Sequence, residues 1–456
     1  MSEKLYFNTY KIFEEQEDKY IYLIDSNEIF QIDDRTYQLI KQEGKTIAQA
    51  KENVKSLFSS EEFEEVISDM REAKFICSSQ AGEREENQEL LQNENILSIT
   101  ILLVQECNLR CTYCYGEGGE YFDRGKISLE TARKAVDFLI EQSGTEKDLS
   151  VALFGGEPLI AFPLIKELVP YIRKREKEAD KNIYISMTSN GTLINDEIEK
   201  YLIENQIGVQ ISIDGDEETQ NENRFYANKR GSYQDVIKNT SSMRKKGLLS
   251  ARATMTSKNI NMSEIFYHLD SLGFGSIAFA PAYNLLSEED YEKLADEEVK
   301  FIGEFERLIK EKQYDKALKM KILLSNLVRI HKGLSRSMAC GVGRKSFAID
   351  IHGDVYPCQR FVNSKEYKLG SVLDGKVDNM KFKSEIVLSS HEQCKNCWAR
   401  NLCVGGCPHE NYMVTGKVME SPKRICNLYL KRFEHLIKVY IRLTEKEKQK
   451  LGLIRE

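Results

Sequence analysis

The sequence of 456 residues has little tryptophan, histidine or proline, with one, six and seven copies respectively. It also lacks a long apolar run, because the longest strongly apolar stretch, Ile99 to Val104, is far too short to cross a bilayer. The amino terminus is polar, without a signal-peptide core, and the balance of 65 basic against 72 acidic residues argues against a nucleic-acid binder. We therefore expect a cytoplasmic protein of about three domains, with no membrane or nucleic-acid partner.

Cysteine is plentiful by contrast, and its placement is uneven. Ten of the eleven cysteines fall into two groups, at 107–114 and 340–426, and none lies between the groups. In a reducing compartment, clustered cysteines indicate metal ligands or catalytic thiols rather than disulfides. Cys77 stands alone and is predicted to be a buried thiol.

The first part of the chain predicts a small separate unit at residues 1–78. Two short strands, Lys19–Ile24 and Glu28–Ile32, precede three amphipathic helical segments. Residues 79–96 are polar and lack an apolar period, so we interpret them as a linker.

Strands and helices alternate over residues 97–285. This alternation predicts an α/β fold with a parallel sheet, namely a partial (β/α)6 barrel of the TIM type. The six candidate strands are Ser98–Val104, Ser150–Phe154, Ile183–Thr188, Val209–Ile213, Arg252–Thr256 and Ser276–Ala280. A charged helical bridge is predicted at 286–335, a second cysteine-rich domain at 336–430 and a C-terminal helix at 431–456.

The first cysteine group follows the first predicted barrel strand directly. Cys107, Cys111 and Cys114 have the spacing C-x3-C-x2-C. Three thiolates in one loop can ligate three irons of a [4Fe–4S] cluster and leave the fourth iron open. A zinc site is the alternative, but it needs a fourth ligand, and no histidine or further cysteine lies nearby in the sequence.

This loop resembles the signature of the radical S-adenosylmethionine (SAM) superfamily, C-x3-C-x-aromatic-C, with Tyr113 at the aromatic position. Three more motifs resemble those of the family, and they follow successive predicted strands. They are Gly-Gly-Glu-Pro at 155–158, Ser-Asn-Gly at 189–191 and Ser-Ile-Asp-Gly at 212–215. Each alone is typical of an ordinary turn, but together they lie where barrel enzymes build their active sites. The resemblance implies that the following residues bind SAM: Tyr113, Gly155, Gly156, Glu157, Pro158, Ser189, Asn190, Ser212, Asp214 and Arg224.

The resemblance also implies roles for particular residues. Glu157 is expected to accept the SAM ammonium group, Ser212 to bind the ribose and Arg224 to hold the carboxylate. The three cysteines of the loop are the expected catalytic residues, since their reduced cluster cleaves SAM to a 5′-deoxyadenosyl radical that abstracts hydrogen.

The second cysteine group resembles the SPASM extension of peptide-modifying radical SAM enzymes, which carries two auxiliary [4Fe–4S] clusters. The family pattern assigns four cysteines to an outer cluster: Cys394, Cys397, Cys403 and Cys426. It assigns three to an inner cluster: Cys340, Cys358 and Cys407. A zinc pair is the alternative, but two tetrahedral ions want eight ligands and only seven cysteines are present.

The inner set is one thiolate short of the family pattern, and the segment 341–343 offers no replacement. We hypothesise that one iron is open and binds the thiolate of a substrate cysteine. Anaerobic sulfatase-maturing relatives have an aspartate as general base directly after the second inner cysteine. Here that position is Gln359, which cannot take a proton at neutral pH, so sulfatase maturation loses support.

The N-terminal unit resembles, in the order of its elements, the winged-helix domains that recognise leader peptides of ribosomally made and post-translationally modified peptides (RiPPs). Such domains add the leader as an extra strand at a sheet edge. A structural cap on the barrel is one alternative. A DNA-binding winged helix is another, although the acidic run at residues 61–65 would repel phosphate.

The resemblance as a whole implies a RiPP maturation enzyme that forms thioether (S–C) crosslinks from cysteine, of the ranthipeptide or sactipeptide type. Its expected partners are a precursor peptide with a leader and an electron donor such as ferredoxin or flavodoxin. Carbon–carbon crosslinking or oxidation of a peptide is an alternative. A non-catalytic iron–sulfur peptide-binding regulator is a second alternative.

Overall fold

The computed structural model describes residues 3–77, 94–333 and 336–453. Most of the linker predicted at 79–96 therefore lies outside the described residues. No helix among the described residues is long and apolar enough to span a membrane.

The N-terminal unit is a three-stranded antiparallel sheet with three helices and a separate strand pair. Its elements are β1 (Tyr6–Phe7), β2 (Tyr10–Glu15), β3 (Asp18–Leu23), β4 (Glu28–Ile32), α1 (Asp34–Ile40), α2 (Ile47–Asn53), α3 (Ser60–Glu72) and β5 (Ile76–Cys77). The sheet order is β2-β3-β4, and β1 pairs with β5. Ser59 begins α3 with a capping box to Glu62, while Phe63 and Ile67 of that helix enter a separate core.

Strand β2 is absent from the sequence prediction. Its sequence, Tyr-Lys-Ile-Phe-Glu-Glu, alternates poorly, and only Phe13 is fully buried. The strand forms because it pairs with β3 along its whole length, from Tyr10 opposite Leu23 to Glu15 opposite Asp18. Cys77, predicted to be a buried thiol, lies half-buried on the short strand β5.

The central domain contains six parallel strands, which confirms the predicted partial barrel. Its strands are β6 (Ser98–Val104), β8 (Asp148–Gly155), β9 (Asn182–Ser189), β10 (Gly208–Ser212), β12 (Leu249–Met255) and β13 (Ser276–Pro281), and they neighbour one another in chain order. Two short strands, β7 (Leu109–Cys111) and β11 (Arg224–Tyr226), form a separate pair. The helices of this domain are α4 (Leu129–Gln142), α5 (Phe162–Glu178), α6 (Asp196–Glu204), α7 (Glu217–Asn223), α8 (Tyr233–Lys245) and α9 (Met262–Ser271).

The second cysteine-rich region extends the barrel sheet. Strand β14 (Ser346–Ile349) pairs in parallel with β6, and β15 (Asp354–Tyr356), β16 (Gly370–Ser371) and β17 (Lys376–Val377) continue antiparallel, giving one sheet of ten strands. The edge of the first barrel strand is thereby covered. The sequence predicts a separate cysteine-rich domain here but does not show that its first strand joins the barrel sheet.

The remaining elements are helical. They comprise α10 (Glu288–Lys310), α11 (Tyr314–Ala317), α12 (Lys321–Lys332), α13 (Met380–Ile386), α14 (Arg400–Cys403), α15 (Pro408–Thr415), α16 (Lys423–Arg442) and α17 (Glu445–Lys450). The buried Arg432 of α16 donates from Nε to Glu298 Oε2 of α10 at 2.9 Å, which ties the C-terminal helix to the bridge. The domain boundary predicted after residue 430 falls inside α16.

The N-terminal unit contacts the segment between Cys397 and Cys403. Trp398 packs edge-on against Phe13 and Tyr22, with ring centroids 5.9 and 6.3 Å apart. Asn401 Nδ2 donates to the Ile24 carbonyl at 2.6 Å. The N-terminal unit therefore packs directly against the loop that carries the predicted outer-cluster ligands.

Candidate active site

The loop that follows β6 carries the first three cysteines and is held in place by a strand pair. In that pair, β7 and β11, Cys111 lies opposite Arg224. The pairing brings the expected carboxylate-binding arginine beside the loop, although the two residues are far apart in the sequence. Sequence reasoning predicts both residues but not this contact.

A chain of hydrogen bonds links three of the predicted SAM-binding residues. Arg224 Nη1 donates to the Tyr113 hydroxyl at 2.5 Å, and that hydroxyl donates to Asp214 Oδ2 at 2.5 Å. Burial raises the pKa of Asp214, and the nearby Arg224 charge opposes this shift. Because Asp214 is fully buried, it holds Tyr113, and through it Arg224, from the protein interior.

The Glu157 carboxylate accepts several hydrogen bonds from within the protein. Its carboxylate accepts from Leu159 N at 3.1 Å, from Ser189 Oγ at 2.9 Å and from Asn190 N at 2.7 Å. Burial raises its pKa. These bonds show that Glu157 orders the Ser189–Asn190 turn, and its expected contact with the SAM ammonium group stays a prediction.

Asn190 connects the Ser189–Asn190 turn to the cysteine loop by hydrogen bonds. Its Nδ2 donates to Asn108 Oδ1 at 2.8 Å, and Asn108 Nδ2 donates to Thr192 Oγ1, also at 2.8 Å. Pro158 starts a buried 3₁₀ turn and does not line the cavity described below. The turns after β8 and β9 therefore hold the cysteine loop from one side.

The two glycines after β8 are required by close backbone packing. A Cβ atom at Gly155, where φ is +142°, would lie 2.2 Å from the Val104 carbonyl oxygen. A Cβ atom at Gly156 would lie 2.2 Å from the Glu106 carbonyl oxygen. The glycines thus allow the turn to approach the start of the cysteine loop.

We expect Gly156→Ala to displace the cysteine loop and lower the thermal midpoint by several degrees, because the new Cβ atom would meet backbone atoms of Glu106 and Gly119, which cannot rotate away. The amount of iron bound by the first cysteine group should also decrease in this variant. Calorimetry and iron analysis measure these effects. The control is Gly303→Ala in α10, where a Cβ atom meets nothing within 4 Å and alanine favours the helix. Equal stability and iron content in the two variants would contradict this account of the glycines.

A cavity of about 800 Å³ opens in front of these motifs. The predicted site residues along its wall are Cys107, Cys111, Cys114, Tyr113, Gly155, Gly156, Glu157, Ser189, Asn190, Ser212 and Arg224. The opposite wall comes from the C-terminal region and includes Gln359, Arg360, His409 and Glu410. The cavity therefore connects the two cysteine-rich regions.

The cysteines separate into three sets by their mutual electrostatic influence. Besides burial, the neighbouring thiols Cys111 and Cys114 raise the pKa of Cys107 and Cys111, respectively. Cys407 raises the pKa of Cys340 and Cys358 in the same way. The third set contains Cys394, Cys397, Cys403 and Cys426. The four thiols of the third set line one hollow, and the assignment of each set to a cluster stays a prediction.

Burial is the main influence on these thiols. It raises the pKa of Cys107, Cys358, Cys394 and Cys403 to about 12, and that of Cys111 to about 11. Buried thiols of this kind ionise when a cation compensates their charge, as iron does in a cluster, so the donor sets fit iron–sulfur clusters. Among the described residues, no three such side chains converge on a single ion, so the individual ligand assignments stay predictions.

A left-handed turn separates Cys403 from Cys407. The intervening residues Val404, Gly405 and Gly406 have φ values of 58°, 76° and 75°. A left-handed β-branched residue is rare, and this turn reverses the chain between two cysteines of different sets.

Sequence reasoning misses three charged residues that line the cavity, namely Arg252, Arg360 and Glu410. Arg360 forms an ion pair with the buried Glu410. His409 packs edge-on against Phe361, and burial lowers its pKa to about 3. The sequence offers a weak signal for both arginines, since Arg252 is a charge inside a predicted barrel strand and Arg360 lies close to Cys358. Neither residue belongs to a motif.

Comparison with known families decides the identity of both regions. Residues 101–272 match the model of the radical SAM superfamily, and residues 340–398 match the SPASM iron–sulfur cluster-binding domain. The chain contains a radical SAM domain and a SPASM domain. It therefore has the [4Fe–4S] cluster and SAM that go with the first domain and the auxiliary clusters that go with the second.

The individual relatives share about a quarter of their residues with this chain over the matched regions. A cysteine-type anaerobic sulfatase-maturating enzyme of Clostridium novyi is 26% identical over 66% of this chain and 84% of its own length. The subtilosin biosynthesis protein AlbA of Bacillus subtilis is 24% identical over 69% of this chain and 66% of its own. The structure of anSMEcpe with bound AdoMet and the Cp18Cys peptide matches with a TM-score of 0.64 and 25% identity, covering 76% of this chain and 99% of that one.

Proposed function

We propose that this radical SAM protein modifies a ribosomally made precursor peptide by forming thioether crosslinks from cysteine sulfur to carbon. One observation carries the proposal. A single cavity is lined both by the SAM-binding motifs of the barrel and by residues that flank the inner cysteines, such as Gln359 beside Cys358. A peptide in this cavity would lie between a hydrogen-abstracting centre and a sulfur-binding centre.

A peptide substrate is supported by the relatives. AlbA acts in the biosynthesis of the bacteriocin subtilosin, and anSMEcpe binds the Cp18Cys peptide in its structure. The cavity of about 800 Å³ is large enough for a short stretch of extended peptide beside SAM.

The N-terminal unit supports a leader peptide as the docking partner. Its β2 edge lies against α16, where Lys11 Nζ is 3.1 Å from Glu434 Oε2 and Glu15 Oε1 accepts from Arg442 Nη1 at 2.7 Å. Strand β4 ends the sheet on the other side, with Phe30 exposed. An extended leader would therefore add as a strand next to β4.

The inner cysteine set supports sulfur chemistry. It has three thiols, whereas the outer set has four, so a [4Fe–4S] cluster held by Cys340, Cys358 and Cys407 would leave its fourth iron open to a substrate thiolate. Each crosslink breaks one C–H and one S–H bond and forms one C–S bond. A hydrogen atom, a proton and an electron leave the peptide, and an iron–sulfur centre is the acceptor class for that electron.

Residues of the chain would also bind and orient SAM. When bound, the first cluster and SAM supply a carbon radical that can abstract hydrogen from an unactivated C–H bond. Arg224, held by Tyr113 and Asp214, orients the SAM carboxylate. Ser212 lies on the cavity wall, where it would contact the ribose. A low-potential electron donor such as ferredoxin or flavodoxin completes the proposed system.

The experiment uses a Cys-rich precursor peptide, sought among the short reading frames beside this gene and incubated anaerobically with the reconstituted enzyme, SAM and reductant. Each thioether should lower the peptide mass by two hydrogens and remove one thiol from alkylation. A mass loss with every thiol still alkylatable would exclude thioethers and indicate carbon–carbon crosslinking or oxidation. Binding without any 5′-deoxyadenosine would indicate the non-catalytic regulator.

Sulfatase maturation is the competing function, because sulfatase-maturating enzymes are among the relatives. The Gln359 side chain, at the position of the expected base, lines the cavity and cannot accept a proton. A sulfatase peptide offered to this enzyme should therefore not gain an aldehyde. Formation of formylglycine would favour the competing function over thioether formation.

A further inference from the structure

Arg252 occupies an unusual place for a charged side chain. It lies in the middle of β12, where Leu249, Ala251 and Ala253 are buried and Arg252 is the one exposed residue. It projects from the other face of the strand, into the barrel, and lines the main cavity. It also lines an adjoining cavity of about 260 Å³ that shares Arg360 and Glu410 with the first.

The Arg252 guanidinium makes no hydrogen bond or ion pair with any part of the chain that the structure describes. Arg360, the other arginine of this region, is already neutralised by Glu410. Arg224 is likewise engaged, through Tyr113 and at 4.0 Å from Asp214. The centre of the cavity therefore holds one positive charge that the described residues leave without an anion.

Such a charge is costly inside a protein. Although the Arg252 side chain is exposed to the cavity, the surrounding protein displaces part of its water and lowers its pKa, and the like charge of Arg360 lowers it further. An arginine nevertheless stays protonated in proteins, and its planar donor fork suits a carboxylate better than any other anion of a peptide. An anionic ligand would offset the cost of placing this cation inside the barrel.

We infer that Arg252 binds a side-chain carboxylate of the peptide, an aspartate or glutamate close to the crosslinked residues. This inference rests on the proposed function and narrows its substrate class to peptides with an acidic residue in the modified segment. Cys407 lines the adjoining cavity together with Arg252, so the carboxylate would lie beside the inner cysteine set. Arg252 is then a specificity-determining residue.

The test measures binding of two matched sets of fluorescein-labelled decapeptides by anaerobic fluorescence anisotropy. Each peptide of the first set has one cysteine and one aspartate, at spacings of about one to five residues. The second set has asparagine in place of aspartate. At the productive spacing, the reconstituted enzyme should bind the aspartate peptide about tenfold more tightly than its asparagine counterpart.

The variants assign this preference to one side chain. Arg252→Gln should bind both peptides equally, and Arg252→Lys should keep part of the preference, because lysine keeps the charge but not the fork. The control Arg307→Gln removes an exposed arginine of α10 that pairs with Glu304 and Glu311, and it should behave like the wild type. The circular dichroism spectrum and the iron content of Arg252→Gln should match those of the wild type, which shows that the variant still folds and holds its clusters.

Two results would overturn the inference. One is the absence of any aspartate preference at every spacing, and the other is a preference that persists in Arg252→Gln. A wild-type enzyme that crosslinks its precursor equally well after every core aspartate and glutamate is replaced by its amide would also overturn it. In that last case the proposed function stands, because thioethers still form.

Discussion

Replacing Cys111 by alanine is expected to abolish the cleavage of SAM, with formation of 5′-deoxyadenosine falling about a thousandfold or more. Cys111 is the central cysteine of the first set and lies opposite Arg224 in the β7–β11 pair. With two thiols left in the loop, the first cluster loses a ligand that no neighbouring residue replaces. Chromatographic assay of 5′-deoxyadenosine, with iron analysis, measures the effect, and about four irons should be missing.

The matched control is Cys77→Ala, which removes a thiol outside all three sets, on strand β5 of the N-terminal unit. This variant should keep its iron and its cleavage of SAM. If Cys111→Ala retained wild-type iron and cleavage, the first set would not be the catalytic centre. Equal losses in the two variants would show that any cysteine change damages the fold.

Cys407→Ala is expected to separate SAM cleavage from peptide modification. Cleavage of SAM without peptide should stay within about twofold of the wild type, because Cys407 does not line the cavity into which the first cysteine set opens. Thioether formation should fall about a hundredfold or more, because the thiolate site is lost. Mass spectrometry of the alkylated peptide and the 5′-deoxyadenosine assay give the two rates.

Cys407 also precedes α15 as its N-cap residue, so its loss affects local structure as well as ligation. Cys358→Ala provides the independent variant, since Cys358 belongs to the same set but lies after β15. Both variants should show the same separation of the two activities. Wild-type rates of crosslinking in either would show that the inner set does not bind the substrate sulfur.

Much of the central domain follows from local sequence. The strand β6 has the predicted bounds, because it is a short apolar run, and the helices α4 and α6 each begin after a capping residue, Ser128 and Asn195. The order of six parallel strands follows from the alternation of strands and helices. Strand β2 was missed because its pattern is weak and its pairing with β3 stabilises it.

The site divides in a similar way. The cysteine spacings and the glycine-rich turn indicate their chemistry because each motif is contiguous. The role of Asp214 behind Tyr113, and the ion pair of Arg360 with Glu410, depend on residues that are distant in sequence. Neither has a local pattern that distinguishes it from an ordinary charged residue.

The sequence by itself determined how many thiols are available and in which groups they lie, because a loop of eight residues leaves its cysteines few other arrangements. The tertiary structure decided what these groups face. It placed β14 beside β6, so that both cysteine-rich regions share one cavity, and it left the Arg252 guanidinium in that cavity without a counter-charge. The reason is that strand pairing and charge compensation are interactions between distant segments, and only the folded chain brings those segments together.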